Sequence, residues 1–458
     1  MEKVRKLLIW SSCLLVLVAV LPLKSSAQNK AFTYGFRERL RHTYMNNNMD
    51  FNANSDDKQG FFRVRTNLWG QFNFNSHLTA RVQLTNEFRP YTIVRERDKS
   101  KDFTLDEIIF DNLFLKYNSG GDNPVILTVG RQNLIYGEGF ILLEGGPWDG
   151  SRAIFHDAIK LSLKRGTTTF DFLGISNPAT DDRLSFLTFT KPNHHYLGLP
   201  KNAEGHQWLN DGLEQALGLY ITHKKAAWGS LEGYYFYKTE KPDFAIPTFA
   251  SITQDQLSTR HIHTLGGRLV HPLGDRLKLS TEWAYQTGSQ ANNSISAYGG
   301  YANLGYTLIP AKKGVITAGI NALSGDDPNT ADIEGWNPIF SRWPKWSELY
   351  IYSQTIENID GARKVAYWTN TFAPNVKFVM NVHPKVNMTV WLHHLQAFQA
   401  SGPGDGTTRG NEFQLWLKFK FTQQLSGHFL YDYFMPGDFY PAPRANASFI
   451  RFELMFTL

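Results

Sequence analysis

One cysteine occurs in 458 residues, at position 13, inside an apolar run. Beyond that run the chain has no thiol, which excludes disulfides, thiol nucleophiles and cysteine-ligated metals there. After Leu7–Leu23 no second long apolar run follows, so no transmembrane helix pattern is present. Charge of one sign is lacking too: 47 basic residues stand against 41 acidic ones, a formal +6. That balance is too mild to imply a nucleic-acid partner. No Gly-x-Ser-x-Gly elbow, His-Glu-x-x-His pair or phosphate-binding loop appears, so nucleophilic or zinc hydrolysis has no sequence basis.

What is present begins with an export signal. Lys3, Arg5 and Lys6 precede the apolar run, and Ser25-Ser26-Ala27 follows it with small residues at the −3 and −1 positions. The expectation is a secretory signal peptide over 1–27, cleaved after Ala27, with a single domain over 28–458. Cys13 lies within the run and not at its end, unlike a lipoprotein cysteine. Loss of the leader removes four basic residues and one acidic residue, leaving +3. Aromatics at 14% and 37 glycines, in an exported chain with negative mean hydropathy, match the bulk composition of a transmembrane β-barrel. The bacterial outer membrane is the expected location.

Periodicity sharpens this. Phe413, Leu415, Leu417, Phe419 and Phe421 alternate with Glu412, Gln414, Trp416, Lys418 and Lys420. A strict period of two with one greasy and one charged face fits a strand between lipid and water. The pattern recurs near the start of the mature chain. Phe32, Tyr34, Phe36 and Leu40 alternate with Arg37, Arg39 and Arg41. Phe62, Val64, Leu68 and Phe72 alternate with Arg63, Arg65, Asn67 and Gln71. Val82, Leu84 and Phe88 alternate with Arg81, Gln83, Glu87 and Arg89. Ile450, Phe452, Leu454 and Phe456 close the chain against Arg451 and Glu453. About eight short turns alternate with about nine long links, among them 288–296 and 324–364. The expected fold is all-β: a single transmembrane antiparallel β-barrel of about 18 strands, with short periplasmic turns and long extracellular loops. Such a lumen is too wide for wall side chains to fill, so it holds water or inward loops. The 324–364 link is long enough to form a constriction.

The inward face carries the functional signal. Candidate pathway residues are Arg37, Arg39, Arg63, Arg65, Arg81, Arg89, Arg131, Arg152, Lys160, Lys278, Lys418, Lys420 and Arg451. A guanidinium offers a permanent charge and a planar fork that matches carboxylates, so a lumen lined this way concentrates anions. The competing reading is structural: these cations pair with Glu87, Glu282, Glu412 and Glu453 and only keep the pore hydrated. Among the links, Gly130-Arg131-Gln132, Tyr136-Gly137-Glu138 and Asp149-Gly150-Ser151-Arg152 could form an ion-pair network, or a loop packed on the rim. Glu138, Asp149, Asp326 and Asp327 are the candidate acidic members. Ser324-Gly325-Asp326-Asp327 matches no EF-hand spacing and reads as a solvated acidic turn. His194-His195, His261/His263 and His393-His394 read as ordinary polar residues, so no metal or cofactor is expected.

These motifs, with Asp157-Ala158-Ile159-Lys160-Leu161, Tyr285-Gln286-Thr287-Gly288 and Phe434-Met435-Pro436-Gly437-Asp438, resemble the alginate-export family of outer-membrane barrels. The resemblance spans nearly the whole mature chain, although the last residue is Leu458 where such barrels usually end in an aromatic. It implies an 18-stranded barrel with an arginine-rich pore, passage of an acidic polysaccharide such as alginate, and loops that regulate access. The implied partners are anionic saccharides, outer-membrane lipid and periplasmic export or uptake proteins, with no nucleic acid. Three alternatives stand beside this conduit: a general or anion-selective porin, a plugged surface-binding barrel and, with least support, a hydrolase at the rim.

Overall fold

The structure, a computed structural model, describes residues 31–458 apart from 49, 94–102, 144–154, 179–184, 189–211, 226–228, 243–257, 342–345 and 350–367. The proposed leader, Asp149 and Arg152 therefore lie outside the described residues.

Nineteen strands run in chain order. The first seven are β1 (Phe32–Asn46), β2 (Gln59–Asn73), β3 (Leu78–Ile93), β4 (Phe103–Asn118), β5 (Val125–Gln132), β6 (His156–Arg165) and β7 (Thr168–Asn177). Next come β8 (Ser185–Thr188), β9 (Gly212–Lys225), β10 (Gly229–Pro242), β11 (Arg260–Leu273), β12 (Leu277–Gln290) and β13 (Asn293–Ile309). The last are β14 (Gly314–Leu323), β15 (Thr371–His383), β16 (Val386–Gln396), β17 (Thr408–Lys420), β18 (Leu425–Pro436) and β19 (Ala447–Thr457). Each pairs antiparallel with its neighbour in sequence, except that β7 pairs directly with β9. β19 returns to β1, with Arg41 opposite Glu453 and Leu40 opposite Leu454. The result is a closed barrel of 18 strands. The four-residue β8 lies outside the cycle, paired with Glu107–Ile109 of β4. Closure leaves no unpaired strand edge in the lipid, where a bare donor or acceptor is costly.

Alternation assigns the faces. Leu217 and Leu265, 67% and 66% exposed, point outward, as do Leu68, Ile159 and Phe452. Inward neighbours such as Arg65, Glu87, Gln286 and Arg451 are buried. Aromatic pairs mark both rims of the outer band: Phe32–Phe72 at 4.5 Å and Phe419–Phe421 at 5.7 Å on the short-turn side, Tyr235–His263 and Tyr237–His261 near the other.

The 288–296 stretch, expected as a long link, is strand on both sides of a two-residue turn at 291–292, where Ala291 has φ +52°. Its small polar residues conceal the alternation. The 324–364 link does fold inward over its described parts. A parallel bridge joins Leu142 to Phe340, and Ile135 bridges Leu143 across a small hairpin. These two loops carry an apolar cluster into the lumen: Phe140 stacks on Trp336 at 5.2 Å, and Trp346 meets Trp368 edge-on at 5.2 Å.

Candidate functional site

The lumen has two unlike walls. On β19, β1, β2 and β3 the inward positions hold Arg451, then Arg37, Arg39 and Arg41, then Arg63 and Arg65, then Arg81 and Arg89. Cross-strand register stacks them: Arg39 faces Arg65 and Arg41 faces Arg63. Like charges side by side are held by two carboxylates. Glu87 receives Arg39 at 2.7 Å, Arg65 at 3.1 Å and Arg63 at 3.5 Å, while Glu453 receives Arg41 at 2.7 Å. Arg89 lies over the Phe61 ring at 4.9 Å and donates to the Tyr91 hydroxyl. Arg39, Arg41, Arg63, Arg65 and Arg451 are at most 4% exposed, whereas Arg37 and Arg81 remain half-buried.

The wall from β7 to β13 is aromatic and acidic. Tyr136, Tyr220 and Tyr234 stack in series, 4.2 and 5.3 Å between centroids. Their hydroxyls need partners once buried: Tyr136 donates to Asp171 at 2.8 Å, Tyr220 to Glu232 at 2.5 Å and Tyr301 to Glu282 at 3.1 Å. Burial and the Asp171 carboxylate raise the Tyr136 hydroxyl far above the ordinary tyrosine range, so it stays a donor. Arg268 bridges Glu232 at 2.7 Å and Glu282 at 3.9 Å, and Lys160 lies 3.6 Å from Asp171.

Both inward loops are bolted to this frame. Gln286 accepts from the Asn337 amide at 2.9 Å and donates to its carbonyl at 2.7 Å. Lys238, fully buried, holds Glu214, Glu240 and the Ile339 carbonyl at 3.1, 2.8 and 2.6 Å. Ser341 donates to the Gly139 carbonyl, fastening one loop to the other. On the far side Arg451 meets Glu348 at 2.9 Å, Ser347 donates to Glu412, and Asp432 accepts from the Leu349 amide at 3.2 Å. Glu412, a candidate partner for lumenal cations, thus serves the loop.

Several candidates take other places. Arg131 stands opposite Leu113 and Asp157, on the face of exposed Val129, which is the outer one. It grips Asp157 at 2.8 and 3.0 Å and donates to the Phe110 carbonyl, tying β4, β5 and β6 together. Arg131 is therefore a wall clamp and leaves the lumenal set, because alternation continues through Gly130 without a register shift. Glu138 reaches Arg268 at 3.4 Å and Ser280 at 3.0 Å instead of joining Arg131. Asp326 and Asp327 accept amides of their own turn, from Glu334 and Asn329. Lys278, Lys418 and Lys420 point inward near the short-turn rim, and all three are exposed. Among the described residues no three His, Cys, Asp or Glu side chains group closely enough to hold a metal.

Arg41 is legible on the polar face of β1 but is not among the pathway candidates, and Lys238, Arg268 and the tyrosine stack carry no such signal. Arg41 shares the period of neighbours already read as inward. Lys238 and Tyr234 lie in the Tyr-rich 228–238 text, where both faces carry large rings, whereas Tyr136 lies in a link and Tyr220 on β9.

A closed 18-stranded barrel with a lipid-facing exterior and a polar lumen defines an outer-membrane channel protein. The chain belongs to the alginate-export family, whose pattern matches residues 30–451. No curated protein matches it. Solved structures sharing the fold include Acinetobacter baumannii OccAB4, 11% identical, TM-score 0.55, covering 94% of this chain and 100% of that one. Pseudomonas aeruginosa OpdK with vanillate is 9% identical, TM-score 0.54, covering 93% and 98%. Pseudomonas aeruginosa OccK2 in complex with glucuronate is 11% identical, TM-score 0.53, covering 93% and 96%. The protein is a bacterial outer-membrane barrel of this porin-like architecture.

Proposed function

We propose that the barrel is a gated channel for anionic solutes, acidic poly- or oligosaccharides foremost. The observation that carries this reading is the arginine wall. Eight guanidinium groups project from β19, β1, β2 and β3, and among the described residues Glu87 and Glu453 are the carboxylates of that wall seen paired with them. A surplus of fixed positive charge in a low-dielectric tube raises local anion concentration. Vanillate and glucuronate, named with two proteins of the same fold, are both carboxylates. The two inward loops act as the gate in this reading, and residues 1–27 act as the export leader.

A second reading, a plugged surface-binding barrel, draws on the depth at which Arg39, Arg41, Arg63, Arg65 and Arg451 are buried. Planar-bilayer recordings separate the two. A channel conducts with anion preference once residues 324–364 are shortened. A plugged barrel stays silent, and that silence would remove the channel reading.

A further inference from the structure

Near the periplasmic ends of the strands, three indoles each carry a cation. The Arg81 guanidinium lies 4.4 Å from the Trp69 ring centroid, Lys377 Nζ 4.3 Å from Trp391, and Lys418 Nζ 5.2 Å from Trp416. All six side chains point inward. Trp69 shares the face of Arg65 and Asn67, Lys377 stands opposite Trp391, and Trp416 is level with Thr389. Each lies within seven residues of a short turn. We propose that these pairs form a docking site for carboxylated sugars at the periplasmic mouth of the barrel. The inference rests on the anion-channel reading and supplies its ligand chemistry at one place.

Three observations support it. First, the arginines higher in the lumen are tied to carboxylates, whereas among the described residues neither Arg81 nor Lys377 has an ion-pair partner. The charges that act on Arg81 are Arg37 and Asp111, and those on Lys377 are Glu138 and Lys418, so each cation sits beside a second one. Second, the indoles are held in set orientations. A Cβ at Gly35 would meet the Trp69 ring at 2.5 Å, so the absent side chain is what lets that ring lie against β1. The Trp391 Nε1–H donates to Asn375 Oδ1 at 2.9 Å. Third, Trp69, Arg81, Lys377, Trp391 and Trp416 are all half-buried, open to the lumen on one side. Asn387, Ser426, Gln71 and Asn73 are among the uncharged inward residues around them.

A flat apolar ring beside an available cation matches the two faces of a sugar acid. The carboxylate meets the ammonium or guanidinium that caps the indole, and the C–H face of the pyranose packs on the indole edge that borders the lumen. Trp69 on β2 and Trp391 on β16 are five strand steps apart, roughly 24 Å along the wall at ~4.8 Å per step. An oligomer can span both, and a monosaccharide can use only one.

The test uses the full-length protein in detergent micelles, titrated with a uronic-acid tetrasaccharide and with a neutral glucose tetrasaccharide. Tryptophan fluorescence and calorimetry read the affinity. The site predicts preference for the uronate, with Trp69→Ala and Trp391→Ala each weakening it roughly tenfold. Arg81→Gln and Lys377→Gln should remove the preference for uronate over glucose. Trp69→Phe and Trp391→Phe, which keep a ring, should retain most of the binding and guard against misfolding of the alanine variants. Equal binding of the two sugars, or uronate binding unchanged in both alanine variants, overturns the site. If wild-type conductance stays anion-selective in that case, the channel reading survives; if that selectivity is missing, the channel reading falls as well.

Discussion

Arg451 on the barrel wall and Glu348 on the inward loop form an ion pair at 2.9 Å, with both side chains largely shielded from water. The wall's own charge thereby holds the element that narrows the lumen. Removing the carboxylate while keeping the arginine should loosen the loop without depleting the wall of cations. Glu348→Gln should cost the closed arrangement about 2 kcal/mol, a shift of roughly thirtyfold between closed and open forms. Single-channel recording in planar bilayers would show longer openings. Unaltered open times would mean that this pair does not govern closure.

The opposite anchor can be tested separately. Gln286→Ala removes both side-chain bonds to Asn337, and each lost bond to a buried backbone group costs about 1–3 kcal/mol. The expected outcome is greater conductance with the barrel intact, checked by recording beside heat-shifted electrophoretic mobility. Lys238→Met is the harsher change. It takes the buried ammonium away from Glu214 and from Glu240, which keeps Arg260, and should lower barrel stability by about 3 kcal/mol in denaturant titration.

Arg65 and Arg81 belong to the same wall but should not contribute equally. Arg65 is engaged with Glu87, while Arg81 rests on Trp69 and faces open lumen. Arg81→Glu should lower the anion-to-cation permeability ratio by roughly a factor of two or more. Arg65→Gln should leave that ratio nearly unchanged. Reversal potentials in a salt gradient decide between them.

The exterior makes its own prediction. Leu265 lies midway along β11 and is among the most exposed apolar residues. Leu265→Arg should weaken folding into liposomes by about 2–4 kcal/mol. A substitution at inward Thr264 meets no lipid and should change stability only through packing and the hydrogen bond it accepts from Gln286.

Most of the wall was legible in the sequence because each strand face meets a different solvent. The three arginine-bearing strands and the β17 alternation follow directly from that contrast. The lumen's contents were harder to read. The Gln286–Asn337 and Gly139–Ser341 bonds join residues 51 and 202 positions apart, and no local pattern encodes such contacts. The apolar Phe140-Ile-Leu-Leu143 run within a supposed polar link was the available hint that the loop turns inward. Arg131 is the penultimate residue of β5 and inherits that strand's outward parity, which the short Gly130-Arg131-Gln132 motif by itself does not reveal.

An anion pathway along the arginine wall, closed by two inward loops, has one decisive readout. The most direct measurement is the reversal potential of the protein with residues 324–364 shortened, recorded across a potassium chloride gradient in a planar bilayer. Open channels should prefer chloride over potassium, with a smaller preference after Arg81→Glu. Cation preference, or no conductance in the shortened protein, would contradict it.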